Sequence, residues 1–402
     1  MYAYYKRSLL KMRNLLRQVQ TDPMGRRNEC RLLQEQILAT VTRIEKQIRK
    51  HRCELKKVRN YLSKPHENRV DNATATNAKT AIQWHRNRIE DYQHLLVTFK
   101  SIGDGLAFIY LDKWDIKQFA MKETSGFISG KSGLTFELRI FRLAFSSGGI
   151  ALLNDLTNCL RHGDLTVLSK GRWLLVEAKS GRTQDSRSRR QTAKLKSMVH
   201  YLTYNKTKSI PVGETQEAEF VRLPVHCPEV DYRDQLNALI SDARRNTHQY
   251  SMVQVEPGLH YLASYGARPE ALSTLTGKLP GSLIVSFINE LKYDSLGYYP
   301  FSLSICDTEA WYDFCSGKLM LCVFVETKAI QDKLSRHGIK SEITGQWDQY
   351  PVILTGDESS GKPGETRVGG HFFGRLFYEF VSLDWMLEEF VYWRNHDSDE
   401  ES

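Results

Sequence analysis

The chain has 402 residues, of which 41% are hydrophobic and 11% aromatic, so large apolar cores can form and global disorder is excluded. This length allows two or three domains. No run of about eighteen apolar residues occurs, which excludes a transmembrane helix and a membrane partner. The seven cysteines are odd in number and form no CxxC pair, so we expect a reducing, cytoplasmic location without disulfides or a zinc knuckle.

The net charge of +9 is divided unevenly along the chain. Residues 1–209 contain 40 Lys and Arg against 18 Asp and Glu, an excess of +22, whereas residues 210–402 contain 16 against 29, an excess of −13. A basic half suits a polyanionic ligand such as nucleic acid. The alternative is a solvated helical surface. The acidic half is not expected to contact phosphates and is a candidate surface for a protein partner.

Two N-terminal segments repeat apolar residues at heptad spacing, which predicts a pair of long helices. His51 interrupts the first run and His85 the second, and the turn-forming stretch SKPHENRVDN separates the two. We expect an antiparallel helical hairpin or short coiled coil that serves as a spacer or as an arm for homo-oligomerisation. The apolar positions are Ile37, Val41, Ile44, Ile48, Leu55, Val58 and Leu62 in the first run and Ala78, Ile82, Ile89, Tyr92, Leu96 and Phe99 in the second.

The period changes after about residue 100, and the remaining chain mixes strands with helices. A helix is predicted from near Ser132, then strands in IALLNDL, DLTVLS and RWLLVEAK, a helix in RSRRQTAKLKSMVHYL and a strand in AEFVRLPV. Further strands are predicted in SLIVSFI, KLMLCVFVE and PVILTG, followed by one long aromatic helix, FGRLFYEFVSLDWMLEEFVYW, and an acidic tail. The pattern predicts an α+β or α/β chain of three domains: a basic helical hairpin at 1–100, a core at 101–265 and a separate acidic α+β domain at 266–402.

The stretch HGDLTVLSKGRWLLVEAKSG carries the clearest chemical signal. If Lys170 and Gly171 form a two-residue hairpin loop, Asp164 lies directly opposite Glu177, with Cβ atoms about 4.5–5.5 Å apart. Lys179 lies two residues beyond Glu177 and so shares its face. Two facing carboxylates are unfavourable unless a cation lies between them, and a divalent ion with hard oxygen ligands meets that need. The alternative is an ordinary surface hairpin with a salt bridge.

Two neighbouring helices add polar residues to this hairpin. Glu137 lies on the apolar stripe of the helix before it, where a buried carboxylate needs a partner or a metal. Gln191 continues the buried stripe of the helix that follows, close to the strand ends. Several cations surround Gln191 and are candidates for phosphate contact: Arg187, Arg189, Arg190 and Lys194.

The order helix-Glu, strand-Asp, strand-Glu-x-Lys and helix-Gln resembles the PD-(D/E)XK nuclease superfamily, which includes restriction endonucleases, and the resemblance covers residues 101–225. It implies a restriction-endonuclease-like αβββαβ core with a mixed sheet. Gly163 stands where the name-giving motif has proline. The resemblance further implies that Asp164, Glu177, the Ala178 carbonyl and Glu137 hold Mg²⁺ (or Mn²⁺), that Lys179 favours the deprotonated form of a water, and that Gln191 positions it.

Other motifs compete with this site. Three further ExK triplets begin at Glu54, Glu290 and Glu326, and the last is a rival because it ends a strand with Asp307 and Gln331 nearby. The segments GDESSGKP and GFISGKS approach a phosphate-binding loop without matching one. No histidine spacing indicates a zinc site.

These features together predict a Mg²⁺-dependent nuclease that hydrolyses DNA, with double-stranded DNA the expected substrate. By analogy we expect an endonuclease of genome defence or of a mobile element. One alternative keeps the fold as a non-catalytic nucleic-acid-binding or assembly protein whose carboxylates are structural. The other is a ribonuclease on the same core.

Overall fold

The computed structural model divides the chain into two compact units, Met1–Arg222 and Leu223–Ser402. Within the residues that the structure describes, no helix is long and apolar enough to cross a membrane. The described residues are all those outside 64–71, 120–125, 132, 170–171, 179–185, 209–218, 223, 267–276, 278, 280, 295–296, 345–350, 356–364 and 397–402.

The first unit begins with three long helices, α1 (Tyr2–Thr21), α2 (Arg27–Leu62) and α3 (Asn72–Tyr110), followed by the short α4 (Lys113–Phe119). α2 packs along α3, as the heptad spacing predicted, and α1 packs against both. The predicted apolar positions Ile37, Val41, Ile44 and Ile48 are fully buried. The pair of helices is therefore confirmed, with α1 as a third member.

Next come α5 (Leu134–Ser146), β1 (Ile150–Leu153), a 3₁₀ turn (Asn154–Leu156), β2 (Leu165–Ser169) and β3 (Arg172–Val176). The three strands form an antiparallel sheet in the order β1-β2-β3, and α5 packs on it. The unit ends with α6 (Ser186–Tyr204) and with β4 (Lys206–Lys208) paired to β5 (Glu219–Val221) in a separate antiparallel ribbon. The predicted order was αβββαβ, whereas the structure has α5-β1-β2-β3-α6-β4-β5 with the additional short strand β4. The described residues show no mixed sheet, because β4 pairs with β5 in an antiparallel ribbon.

The helical layer and the sheet belong to one unit, and this corrects the predicted boundary near residue 100. The buried Gln34 side chain of α2 donates to the Ala151 carbonyl at 2.9 Å and accepts from the Leu153 amide at 2.9 Å. The Gln34 side chain thus satisfies two backbone groups of β1 that do not bond to β2. A heptad pattern predicts that α2 packs on another helix, but it does not predict the contact of α2 with β1.

The second unit has a four-stranded antiparallel sheet in the order β6-β7-β9-β8. Its strands are β6 (Tyr250–Glu256), β7 (Leu259–Tyr265), β8 (Leu283–Phe287) and β9 (Leu319–Glu326), and a smaller sheet joins β10 (Lys340–Ile343), β11 (Val352–Thr355) and β12 (Glu365–Val368). Its helices are α7 (Arg233–Arg245), α8 (Ile288–Leu291), α9 (Phe301–Ser304), α10 (Thr308–Ser316), α11 (Thr327–Ser335), α12 (Gly370–Tyr378) and α13 (Leu383–His396). Because β7 pairs with β9, the predicted boundary at 265/266 falls inside this unit.

The C-terminal aromatic segment forms two helices instead of the single predicted one. α12 ends at Tyr378, and Phe380 adopts a positive φ of 57° that interrupts the helix. Ser382 then caps α13 by accepting a hydrogen bond from the Trp385 amide at 3.1 Å. The continuous apolar pattern concealed this break, since both helices bury aromatic side chains.

Candidate functional site

The β2–β3 hairpin has the register that the two-residue loop predicted. Leu165 pairs with Val176 and Ser169 with Arg172, so Asp164 and Glu177 are the first residues beyond the paired strands. At this end the Asp164 amide donates to the Val176 carbonyl at 2.9 Å. Gly163 takes a left-handed φ of +73°, and an added Cβ would lie 3.2 Å from the same carbonyl oxygen. Proline cannot adopt this φ, which accounts for glycine before the aspartate.

The Asp164 carboxylate is held from two directions. Its Oδ2 accepts a hydrogen bond from the Ala178 amide at 2.8 Å, and its Oδ1 accepts one from the Lys131 ammonium at 2.7 Å. The first contact ties the carboxylate to the residue after Glu177 and so fixes it at the end of both strands. The second brings in a cation that precedes α5 in the chain.

Lys131 is the centre of an acidic cluster. Its Nζ lies 2.9 Å from Glu137 Oε1, 2.9 Å from Asp155 Oδ2 and 2.7 Å from Asp164 Oδ1. Burial by itself lowers the pKa of this ammonium, but its contacts with the three carboxylates outweigh that effect and raise the pKa above the ordinary value. Burial raises the pKa of the Glu137 carboxyl, which is only 2% exposed, and the nearby Asp164 charge raises it further. Three acidic groups therefore converge on one point.

The segment that carries Lys131 is fixed on α2. Both oxygens of the buried Glu45 carboxylate accept backbone hydrogen bonds, from the Ile128 amide at 3.0 Å and from the Ser129 amide at 2.7 Å. Arg49, one helical turn further along, donates to the Ser129 carbonyl. The Ile128 and Ser129 amides of GFISGKS thus bind a carboxylate of the same chain and are not open to a phosphate. Instead, this loop delivers Lys131 to the acidic cluster.

Gly133 leaves a small space between α5 and β3. A Cβ added at this position would lie 3.3 Å from Glu137 Oε1 and 3.9 Å from the Ala178 carbonyl oxygen. Both oxygens consequently border one space, and both were predicted as metal ligands. The structure therefore brings Glu137, Asp164 and the Ala178 carbonyl together, as the sequence predicted, and Glu177 follows β3 at the same end.

The remaining predicted residues are covered in part. Lys179 lies outside the described residues. The structure places Gln191 and the predicted phosphate-contacting residues Arg187, Arg189, Arg190 and Lys194 within α6, and their side chains lie outside the described part of the chain. The roles of these side chains stay predictions.

Sequence reasoning missed Lys131, Asp155 and Glu45. Asp155 lies in the 3₁₀ turn that directly follows β1, so it reaches the same end of the sheet as Asp164. An acidic residue near the end of the predicted strand IALLNDL was the available signal. Lys131 belongs to GFISGKS, which the sequence indicates only as an incomplete phosphate-binding loop. The residues around Glu45 in the sequence carry no signal of its contact with this loop.

The rival triplet at Glu326 is arranged differently. Glu326 Oε1 lies 2.7 Å from Nε2 of the buried His260. Asp307, which was expected nearby, caps α10 through the Ala310 amide at 2.7 Å and pairs with Arg244 at 3.0 Å. Glu54, in the α2 triplet, pairs with Lys57 on the exposed helix surface. None of these three carboxylates is seen in an acidic cluster like that around Lys131, within the described residues.

Comparison with known proteins gives no family for this chain. No protein-family model matches it, and neither a curated protein nor a solved structure does so. A functional conclusion must come from the geometry of its own residues.

Proposed function

We propose that the first unit is a divalent-metal-dependent nuclease whose metal site lies at the ends of β2 and β3. The observation that carries the proposal is the convergence of Glu137, Asp155 and Asp164 on one cation, the Lys131 ammonium. A metal site requires several acidic oxygens around one cation, and the three carboxylates already surround the Lys131 ammonium in this way. Carboxylate and carbonyl oxygens are the ligands that Mg²⁺ and Mn²⁺ prefer.

The charge balance favours a dication over the ammonium. Lys131 is shared by three carboxylates, the Lys100 and Arg161 charges act on Asp155 alone among these three, and Glu177 adds a fourth acidic residue at the same strand ends. Like charges this close are costly unless more positive charge is supplied. The Asp164 side chain is already held by the Ala178 amide, so little ordering is needed for it to act as a ligand.

Each residue has a distinct proposed role. Asp164, Glu177 and the Ala178 carbonyl hold the metal, with Glu137 or Asp155 completing its oxygen shell. A Mg²⁺ ion held there stabilises negative charge on a phosphoryl oxygen and makes a water more acidic. Lys179 orients that water, as the family resemblance implies, and Gln191 positions the water or the phosphate. A metal ion bound by these carboxylates would compete with the Lys131 ammonium, which contacts the same oxygens.

The proposed substrate is DNA, because the excess of +22 lies in residues 1–209, which make up nearly all of this unit. Arg187, Arg189 and Arg190 begin α6, the helix that follows the metal-binding strand. Cations at this place suit the phosphates on either side of the scissile bond. A role of this nuclease in genome defence or in a mobile element stays an expectation by analogy.

One observation favours a second function. Lys131 forms ion pairs with all three carboxylates, and a cluster joined by such ion pairs can be structural. On this alternative the unit binds nucleic acid through its basic surface and cleaves nothing. The two functions differ in a single measurable respect, which is phosphodiester hydrolysis.

The test is cleavage of a supercoiled plasmid by the full chain with Mg²⁺, with Mn²⁺ and with EDTA. We expect nicked or linear product only with metal. Asp164→Asn should reduce the rate by roughly 100-fold or more, because it removes a ligand charge. Glu326→Gln, the same change at the rival triplet, should cleave at the wild-type rate.

Three outcomes would contradict the proposal. A wild-type protein that binds DNA but never cleaves it would support the non-catalytic alternative. Cleavage that survives Asp164→Asn and is lost in a folded Glu326→Gln variant would move the site to the second unit. A parallel assay in which RNA is cut and duplex DNA is not would make the enzyme a ribonuclease.

A further inference from the structure

A second group of metal-binding side chains lies in the second unit, remote in sequence from the acidic cluster. His226, Cys227 and Glu389 each direct one ligand atom into a space in which all three atoms lie within 4.8 Å of one another. The first two are adjacent in the segment before α7, and the third belongs to α13. Imidazole nitrogen, thiolate sulfur and carboxylate oxygen together form a typical zinc ligand set and a poor magnesium one.

The distances suit a tetrahedral ion. Glu389 Oε1 lies 3.2 Å from Cys227 Sγ and 3.8 Å from His226 Nδ1. Zinc bonds of about 2.0–2.3 Å to O, N and S ligands place neighbouring ligand atoms roughly 3.3–3.6 Å apart in a tetrahedron. The ligand atoms therefore need to move by only a few tenths of an ångström to about one ångström.

The loop is held in position by backbone contacts that do not involve the ligand atoms of His226 and Cys227. The Glu389 carboxylate accepts hydrogen bonds from the His226 amide at 3.0 Å and from the Cys227 amide at 2.7 Å. Trp385, one turn earlier on α13, donates its indole N–H to the Cys227 carbonyl at 3.2 Å. Tyr392, about one turn later, stacks on the His226 ring with centroids 3.9 Å apart. One face of α13 thus presents a ligand between two residues that orient the loop.

The His226–Cys227–Glu389 group is buried on the side of Glu389 and open to solvent on the side of His226. Glu389 is only 6% exposed, whereas the His226 side chain is 45% exposed. A fourth ligand can therefore arrive as water from the His226 side. Three protein ligands and one open position are characteristic of a zinc site that exchanges its fourth ligand.

We propose that the second unit binds one Zn²⁺ ion through His226 Nδ1, Cys227 Sγ and a Glu389 carboxylate oxygen, with water as the fourth ligand. The ion joins the segment before α7 to α13 and stabilises the unit when bound. This site is independent of the proposed nuclease centre, which uses oxygen ligands in the first unit.

The experiment uses the full chain, stripped of metal with a chelator and kept reduced with a non-thiol reductant. Zn²⁺ binding is measured by calorimetry and by the rise in melting temperature. Co²⁺ serves as a spectroscopic probe, since a cysteine ligand gives a thiolate-to-cobalt charge-transfer band. We expect one equivalent of Zn²⁺, a higher melting temperature and this band.

Two variants test the ligands without removing the buried Glu389. Cys227→Ser should abolish the cobalt band, and His226→Ala should weaken Zn²⁺ binding by roughly 100-fold or more, beyond the 10–100-fold typical for residues that merely support a ligand. The matched control is Cys306→Ser with His248→Ala, which removes one exposed cysteine and one exposed histidine elsewhere in the unit. This control should bind Zn²⁺ as the wild type does.

Asp164→Asn separates this site from the nuclease centre and should leave Zn²⁺ binding unchanged. Absence of Zn²⁺ binding by the wild type would overturn the proposal. Unchanged binding by folded Cys227→Ser and His226→Ala proteins would overturn it equally, as would a loss of binding in the control variant.

Discussion

At the scale of single residues, Lys131 decides how the acidic cluster behaves without metal. Its ammonium is 30% exposed and lies within 2.9 Å of oxygens from Glu137, Asp155 and Asp164. The same lysine therefore stabilises the acidic cluster and, if the proposed function holds, competes with the metal ion for its carboxylates. Replacing Lys131 should therefore lower the stability of the metal-free protein and raise its affinity for a divalent metal.

We predict that Lys131→Met lowers the free energy of unfolding of the metal-free protein by roughly 1–3 kcal/mol, since the buried Glu137 and the partly buried Asp155 and Asp164 carboxylates lose their counter-charge. Mg²⁺ should recover most of this loss and should bind more tightly than to the wild type. Thermal melts with EDTA and with increasing Mg²⁺ measure both effects. Lys206→Met removes an exposed lysine of the same unit as a control. A variant as stable as the wild type in EDTA would show that Lys131 does not balance the cluster.

At the scale of elements, the two histidines that interrupt the heptads meet each other. His51 Nδ1 on α2 lies 3.0 Å from His85 Nδ1 on α3, beside the Trp84 ring. Burial lowers the pKa of the His51 imidazole, and the nearby His85, Lys50 and Arg88 charges lower it further. The two polar interruptions of the sequence pattern are thus one contact between helices.

This contact predicts a pH dependence of stability. The pKa of His51 is lower in the folded protein than in the unfolded chain, where it is about 6.5. Above about pH 6.5 this histidine does not affect the free energy of unfolding, and below it the free energy of unfolding falls as the pH decreases. We expect the wild type to lose about 1 kcal/mol or less between pH 7.5 and 5.5, which shifts the melting temperature by roughly 2–4 °C. His51→Leu, which restores an apolar heptad residue, should lose less, whereas exposed His337→Gln should behave like the wild type. Equal pH dependence in all three proteins would exclude this pair as the cause.

At the scale of the whole molecule, charge and proposed chemistry are divided between the two units. The excess of +22 accompanies the acidic cluster around Lys131 in the first half, and the excess of −13 accompanies the His226–Cys227–Glu389 group in the second. Phosphates bind cations without regard to base identity and release counterions as they do so. DNA binding, if it occurs, should therefore belong to the first unit and should weaken steeply with salt.

We predict that six or more phosphate contacts reduce the affinity on the order of 10³-fold between 50 and 200 mM salt. Neutralising Arg187, Arg189 and Arg190 together should weaken binding to unrelated duplexes and flatten the salt dependence. The matched control neutralises three exposed α2 lysines, Lys46, Lys50 and Lys56, and omits Arg49, which holds the Lys131 loop. Titrations of labelled duplex at several salt concentrations measure the slopes. An unchanged slope for the arginine variant would mean that DNA does not pass along α6.

The sequence by itself determined the features that depend on local period and turn chemistry. A two-residue hairpin loop at Lys170-Gly171 predicted the register that places Asp164 and Glu177 beyond the ends of β2 and β3. The 3.6-residue period predicted α5 with Glu137 buried, and the heptads predicted that α2 packs on α3. Each of these depends on residues a few positions apart, where backbone geometry dictates which side chains share a face.

Only the tertiary structure decided what completes each site and where the units divide. Glu45 binds the Lys131 loop across 83 and 84 residues of chain, and Glu389 meets Cys227 across 162. The pairing of β7 with β9 likewise moved the boundary between the units to 222/223. No periodic pattern records such contacts, because they arise from the packing of separate elements, and packing is decided by the shape and burial of the whole unit.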